Sequence, residues 1–407
     1  MEHVRDQFPA LERIHNGVPV AYFDGPGGTQ VPRAVAAAMT DYLFHHNANT
    51  HWAYPTSIET DAILAAARVA VGDFLNCAAE EVVFGANMTT LTFHLARTLG
   101  RTWSEGDEVI VTDLDHHANV APWRALEIDR GVSVRSARLI RETAQIDWDH
   151  LRELVSPRTK LIAIGGASNA CGTINDLERA ASVARAAKAL LFVDAVHLAP
   201  HELIDVQRIG CDFLACSAYK FYGPHAGILF ARRALLEALP FPKLIPAPDT
   251  APERAETGTQ CHEAIAGIGA TIDFIASMGT GTIRRERLAS AYAALHEEGL
   301  RFSRMLWDGL SPHVKLHGPP PTMPRTPTFA FSIDGRDDEQ VVRTLAEDGL
   351  FLSHGDFYAL TAVRELGAPM ASVVRAGCAC YTTEEEVRRL IEHIRAISRA
   401  HAVRPYR

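Results

Sequence analysis

The chain has 407 residues, 47% hydrophobic and 22% charged, the balance of a globular protein long enough for a large and a smaller domain. A net charge of -9 without any basic run argues against nucleic acid and anionic membrane as partners. No apolar run can span a bilayer, residues 1–17 carry no signal-peptide pattern, and seven scattered cysteines suggest reduced thiols in a cytoplasmic protein.

In chain order, short apolar runs alternate with amphipathic stretches. Strands are expected over 81–84, 108–112, 160–164, 190–193, 212–216 and 227–230. Helices are expected over 89–99, 177–189 and 234–238, with Asp176 capping the second. This βαβα rhythm predicts an α/β fold, an open and mostly parallel sheet covered by helices on both faces. A Pro-rich stretch, 317–327, interrupts the rhythm. Beyond it come a strand over 328–333, a helix over 337–347, short strands near 350–352 and 372–376, and a last helix over 384–400 with Thr382 or Thr383 as cap. The division expected is a large domain, 15–283, and a small α+β domain, 284–407, with residues 1–14 packing on the latter. The tryptophans Trp52, Trp103, Trp123, Trp148 and Trp307 are read as packing residues.

Several of these strands end in polar residues. Lys220 follows an apolar strand within Ser217-Ala218-Tyr219-Lys220-Phe221-Tyr222-Gly223-Pro224. An amine among apolar walls loses basicity and becomes a Schiff-base former. Asp194 ends its own strand, where open α/β sheets bind ligands, and a carboxylate there suits the nitrogen of a pyridine cofactor. His116, in Asp115-His116-His117-Ala118-Asn119, can stack on a flat ring and move protons. Met88, Thr89 and Thr90 open a helix, a ready phosphate site, and Ser217 can donate to the same group. Asn169 can reach a cofactor oxygen or the substrate. A turn lysine, a capping Thr or a strand-end Asp would be ordinary alone; the signal lies in five strand ends offering groups suited to one ligand. The paired histidines lack further ligands at a matching spacing, so no metal is expected. Cys378 and Cys380 are read as alternate residues of a strand.

Taken together, the blocks Asp115–Asn119, Ser168-Asn169-Ala170-Cys171-Gly172-Thr173, Val193-Asp194-Ala195-Val196-His197, Ser217–Pro224 and Glu256-Thr257-Gly258-Thr259 resemble the class V aminotransferase family, in its cysteine desulfurase and selenocysteine lyase branch. The resemblance runs nearly end to end. It implies the fold type I architecture of pyridoxal 5'-phosphate enzymes, with a mostly parallel seven-stranded sheet and a small C-terminal domain. It implies that Lys220 holds the cofactor as a Schiff base, that Asp194 pairs with the ring nitrogen and that His116 stacks on the ring. Thr89, Ser217 and the Met88 backbone would hold the phosphate, with Thr90 and Tyr219 beside them. His197 would contact the ring oxygen. Thr259 would reach the phosphate of a neighbouring subunit, which implies a homodimer with shared sites. Arg375 would clamp the substrate carboxylate, with Asn169, His51, Tyr358 and Gly27 also facing the substrate.

The chain departs from the family pattern at three places. Tyr219 stands where the family has His, and His197 where it usually has Gln. In the loop that carries the family's persulfide cysteine, this chain reads Ser353-His354-Gly355-Asp356-Phe357-Tyr358, so a tyrosine replaces the thiol. The activity expected is therefore β-elimination from L-cysteine or an S-substituted cysteine, with Lys220 taking the Cα proton. An amino-acid epimerase, like isopenicillin N epimerase, and an aminotransferase are the alternatives. A nicotinamide dehydrogenase is excluded, because 267–272 lacks the third glycine of a dinucleotide loop.

Overall fold

The computed structural model describes residues 2–402. Seven strands form the main sheet: β1 (Val82–Gly85), β2 (Glu108–Thr112), β3 (Ser133–Ala137), β4 (Thr159–Gly165), β5 (Leu190–Asp194), β6 (Phe213–Ser217) and β7 (Gly227–Ala231). Their spatial order is β1-β7-β6-β5-β4-β2-β3. Only β7 runs against its neighbours, so the sheet is α/β and mostly parallel, as the alternation of runs predicts. The central strands are buried on both faces because helices cover them. That is why Leu161-Ile162-Ala163-Ile164 and Leu191-Phe192-Val193 read as unbroken apolar runs. One face packs Phe74, Ile110, Ile162, Leu214 and Phe221, and the other packs Trp123, Val109, Phe192, Phe213 and Leu229.

Among the covering helices are α1 (Pro55–Leu75), α2 (Met88–Gly100), α3 (Leu177–Ala186) and α4 (His262–Ser277). The starts of α2 and α3 are set by side chains that accept otherwise unpaired N–H groups. Asn87 accepts from Thr90 N at 2.9 Å, and Asp176 from Arg179 N at 2.9 Å. The long helix α5 (Arg284–Leu310) leads to a second, antiparallel sheet of β8 (Lys315–His317), β9 (Thr328–Ser332), β10 (Ser353–Gly355) and β11 (Val373–Gly377), in the order β8-β9-β11-β10. It is backed by α6 (Asp338–Glu347) and α7 (Glu384–Ala402). Thr383 rather than Thr382 starts α7, through a reciprocal pair: Glu386 N donates to Thr383 Oγ1 and Thr383 N to Glu386 Oε2. No helix among the described residues is long and apolar enough to cross a membrane.

The N-terminal segment crosses between the two sheets. Ala21–Tyr22 pairs in parallel with Leu350–Phe351, and Phe23 is buried among Phe302, Phe329, Phe331 and Val374. Gly377 N donates to Phe23 O at 2.8 Å, which sets the turn 24–28 against the end of β11. Two expectations change here. Strand β11 ends at Gly377, so Cys378 and Cys380 lie in the turn beyond it, both buried. Trp123 is fully buried, but Trp52 is 60% exposed.

Candidate functional site

Parallel strands β2, β4, β5 and β6 all present their C-terminal ends on one side, and their following loops converge there. Asp194, the last residue of β5, lies in register between Gly165 of β4 and Ala215 of β6. Ser217 ends β6, and Lys220 follows within the single turn Ala218–Lys220. His116 stands in the loop after β2, and Met88 and Thr89 open α2. Together with Asn169, His197, Tyr219, Asp115 and Pro26, these residues line one cavity.

Lys220 Nζ donates to the carbonyls of Pro26 at 2.6 Å and Gly27 at 2.9 Å, both in the N-terminal turn. Burial, and then the positive charge of Arg375, lower its pKa to about 8. Asp194 is buried, which pushes its carboxyl up to about 6 against the stabilising Val196 N–H, 2.9 Å from Oδ1. His116 is pushed down to about 4 by burial and by Lys220. Its Nδ1 accepts from Ala118 N at 2.9 Å, so the neutral ring carries its proton on Nε2. The ring of Tyr358 lies 5.7 Å from that of His116. Ser217 Oγ accepts from Met88 N, whereas Thr89 keeps its N–H and hydroxyl at the helix start, where no backbone acceptor within the helix exists.

Arg375 is buried behind this cavity. Nη1 donates to Asn169 O at 3.0 Å; Nη2 faces Ser353 Oγ at 3.2 Å and Asp24 Oδ1 at 3.3 Å; Nε is buried without a partner. The ring of Phe357 covers the guanidinium at 3.8 Å, and Asn169 Nδ2 donates to Phe357 O at 3.0 Å, leaving Asn169 Oδ1 unpaired. Burial brings the Arg375 pKa down to about 10, partly opposed by Asp24.

Three of the residues named from sequence stand apart from the cavity. Thr90 turns to its cap, donating from Oγ1 to Asn87 Oδ1 at 3.0 Å. His51 and Thr259 lie together in a separate groove that also includes Arg68 and Lys243. His197 lines the cavity, but its Nε2 is committed to Thr326 and Thr328 hydroxyls, each at 3.1 Å. Tyr219 stacks on His225 at 4.7 Å. Tyr358 is 75% exposed and Gly27 meets Lys220 through its carbonyl. Sequence reasoning assigned no role to Asp115 or Asp24. Asp115 carries a signal, a carboxylate directly before His116. Asp24, at the other end of the chain, carries none without the structure.

The chemistry of the lining fits pyridoxal 5'-phosphate. A weakly basic amine suits its aldehyde, and a buried carboxylate with one hydrogen bond suits its ring nitrogen. A helix start with an open N–H and hydroxyl beside Ser217 suits its phosphate. Among the described residues no group of His, Cys, Asp and Glu could hold a metal ion.

Comparison with known proteins bears on the family and the fold. Residues 21–390 match the Aminotransferase class-V family. Cysteine desulfurases of Pectobacterium atrosepticum and Yersinia pestis are 32% and 30% identical to this chain, each alignment covering 98% of both sequences. The cysteine desulfurase CsdA of Escherichia coli superposes with a TM-score of 0.83 at 27% identity, covering 99% of this chain and 98% of that one. A cysteine desulfurase structure from Thermococcus onnurineus shares the fold with a TM-score of 0.89 at 24% identity, over 98% of each chain.

Proposed function

The chain belongs to the aminotransferase class-V family, and from that premise we propose that it is a pyridoxal-phosphate-dependent C–S lyase. Its substrate is L-cysteine or an S-substituted L-cysteine, and it uses no thiol of its own. The observation that carries this reading is the loop over His116. It presents Tyr358, and among the described residues no cysteine lines the cavity. Cys378 and Cys380 are buried beyond β11, and burial pushes both thiols up, Cys380 to about 12. A thiol so held is a poor nucleophile.

Lys220, Asp194, Ser217, Met88 and Thr89 would hold the cofactor, with His116 against its ring. Bound there, pyridoxal phosphate supplies the electron sink for charge left at Cα. Arg375 and Asn169 would fix the substrate carboxylate, and Asp194 would keep the ring nitrogen protonated. The Lys220 amine, free of its proton above about pH 8, takes the Cα proton. His116, neutral at pH 7, offers its Nε2–H as a hydrogen bond to the departing sulfur. Thiol leaves from Cβ, and uptake of water yields pyruvate and ammonia.

We further read the protein as a cytoplasmic homodimer. Its free cysteines fit a reducing compartment. His51 and Thr259 share a groove apart from Lys220, next to the exposed apolar residues Trp52 and Leu244, so they are available to a second copy's cavity.

Product analysis with L-cysteine and a set of S-substituted cysteines tests the activity. Thiol, pyruvate and ammonia should appear in equal amounts and vanish in Lys220→Ala. Alanine with sulfane sulfur would instead mean desulfuration. Solvent deuterium at Cα without bond cleavage would mean an epimerase, and accumulation of the pyridoxamine form an aminotransferase.

A further inference from the structure

The guanidinium of Arg375 is poorly satisfied for a buried cation. Its Nε has no partner, and its Nη2 contacts to Asp24 and Ser353 are both longer than 3.0 Å. Asp24 is also unlike a permanent buried counter-ion: its side chain is 44% exposed, against 4% for Arg375. The carboxylate reaches this position because residue 27 is glycine. A Cβ there would lie 2.5 Å from Asp24 Oδ2 and 2.6 Å from Oδ1, so any side chain would drive the carboxylate away. The same turn faces the reactive amine. Gly27 N and Gly28 N donate to Asp24 O, while the carbonyls of Pro26 and Gly27 accept from Lys220.

We propose that Asp24 is a displaceable occupant of the carboxylate position at Arg375, a built-in competitor that an incoming amino acid must turn out toward water. This rests on the reading of Arg375 as the carboxylate clamp. Charge balance favours displacement over sharing. Arg375 and Asp24 together are neutral, so a second carboxylate on the guanidinium would leave a net negative charge in a buried pocket. Asp24 can leave at little cost, because its other side is already hydrated. Phe357 covers the face of the guanidinium, so the edge that Asp24 touches is where a planar carboxylate pairs with it. A resident competitor lowers apparent affinity by the fraction of time it occupies the site, and a half-exposed ion pair makes that factor roughly two- to fivefold.

The test measures calorimetric binding of two unreactive amines to the purified protein. One is 2-methylalanine, which has a carboxylate and no Cα proton; the other is tert-butylamine, which also lacks that proton and has a methyl in place of the carboxylate. Effects passed through the Lys220 amine act on both ligands, so the ratio of the two affinities isolates the carboxylate. Asp24→Asn and Asp24→Ala should each raise that ratio roughly two- to fivefold. Arg375→Lys should reduce it. A ratio that stays the same or falls in both Asp24 variants, with Arg375→Lys still lowering it, overturns the proposal, makes Asp24 an orienting partner, and leaves the clamp standing. A ratio unchanged in Arg375→Lys overturns the clamp itself and the proposal with it.

Discussion

Ser217 Oγ accepts a hydrogen bond from Met88 N at 2.9 Å, tying the last residue of β6 to the first residue of α2. The contact fixes the helix start against the strand that leads to Lys220. It also holds the hydroxyl where an anion at Thr89 would meet it.

Ser217→Ala should therefore weaken binding of pyridoxal phosphate to the apoprotein about tenfold, the effect of losing one hydrogen bond to a charged group. Binding of pyridoxal, which has no phosphate, should change little. Absorbance titration of both compounds against wild type and variant checks this. Equal losses for the two would move Ser217 out of the phosphate site.

The Lys220 amine should titrate near pH 8, well below the 10.5 of a free lysine, because burial and Arg375 disfavour its charged form. The rate at which apoprotein reacts with an aldehyde should rise with pH to a plateau with that midpoint. Asp24 and Asp194 pull the other way, so Asp24→Asn should move the midpoint lower and Arg375→Met should move it higher.

Asp115 makes a stability prediction. Burial raises its pKa from 3.8 to about 7, although Thr112 and Gly165 donate to it and lower the value in part. The folded apoprotein thus binds this proton more tightly than the unfolded chain. Its contribution is complete below pH 3.8 and is lost as pH rises through about 7. Urea midpoints of wild type and Asp115→Asn should accordingly lie closest near pH 4, with the wild type falling below the variant as pH rises toward 7. A wild type that gains on the variant with rising pH would show that the donors outweigh burial.

Arg325 joins the two sheets through carbonyls alone. It is buried, donates to Thr328 O at 2.6 Å and to Pro319 O, approaches Cys171 O at 3.4 Å, and lies over the Phe329 ring. Arg325→Met would leave those oxygens unpaired and should lower stability by about 3 kcal/mol. Denaturant unfolding measures this, and a loss under about 1 kcal/mol would mean that other donors or water replace the guanidinium.

The sequence exposes the strand-end residues of this site for a simple reason. A parallel strand covered on both faces is an unbroken apolar run, so the first polar residue after it, Asp194 or Ser217, marks the sheet's ligand edge. The cap Asp176 is readable because it is a local bond spanning three residues. Contacts that close late in the chain are not readable. Asp24 and Arg375 are 351 positions apart, and nothing in the spelling of either segment names the other. His197 carries a cavity position in its motif, yet its Nε2 bonds are made to Thr326 and Thr328 inside the Pro-rich segment and just after it. Thr90 is a local misreading: the hydroxyl that suits a phosphate also suits the neighbouring Asn87, and the nearer partner prevails.

The turn 24–28 has a consequence for how the protein is born. Its carbonyls rest on Lys220, and Phe23, just before it, is fastened by the amide of Gly377. On the ribosome the strand end carrying Lys220 is complete while the strand ending at Gly377 is still unmade. For that interval the amine lacks both the turn and Arg375, whose charge helps to lower its basicity. Lys220 therefore gains its full reactivity toward aldehydes only once β11 has been made and the turn is fastened to it.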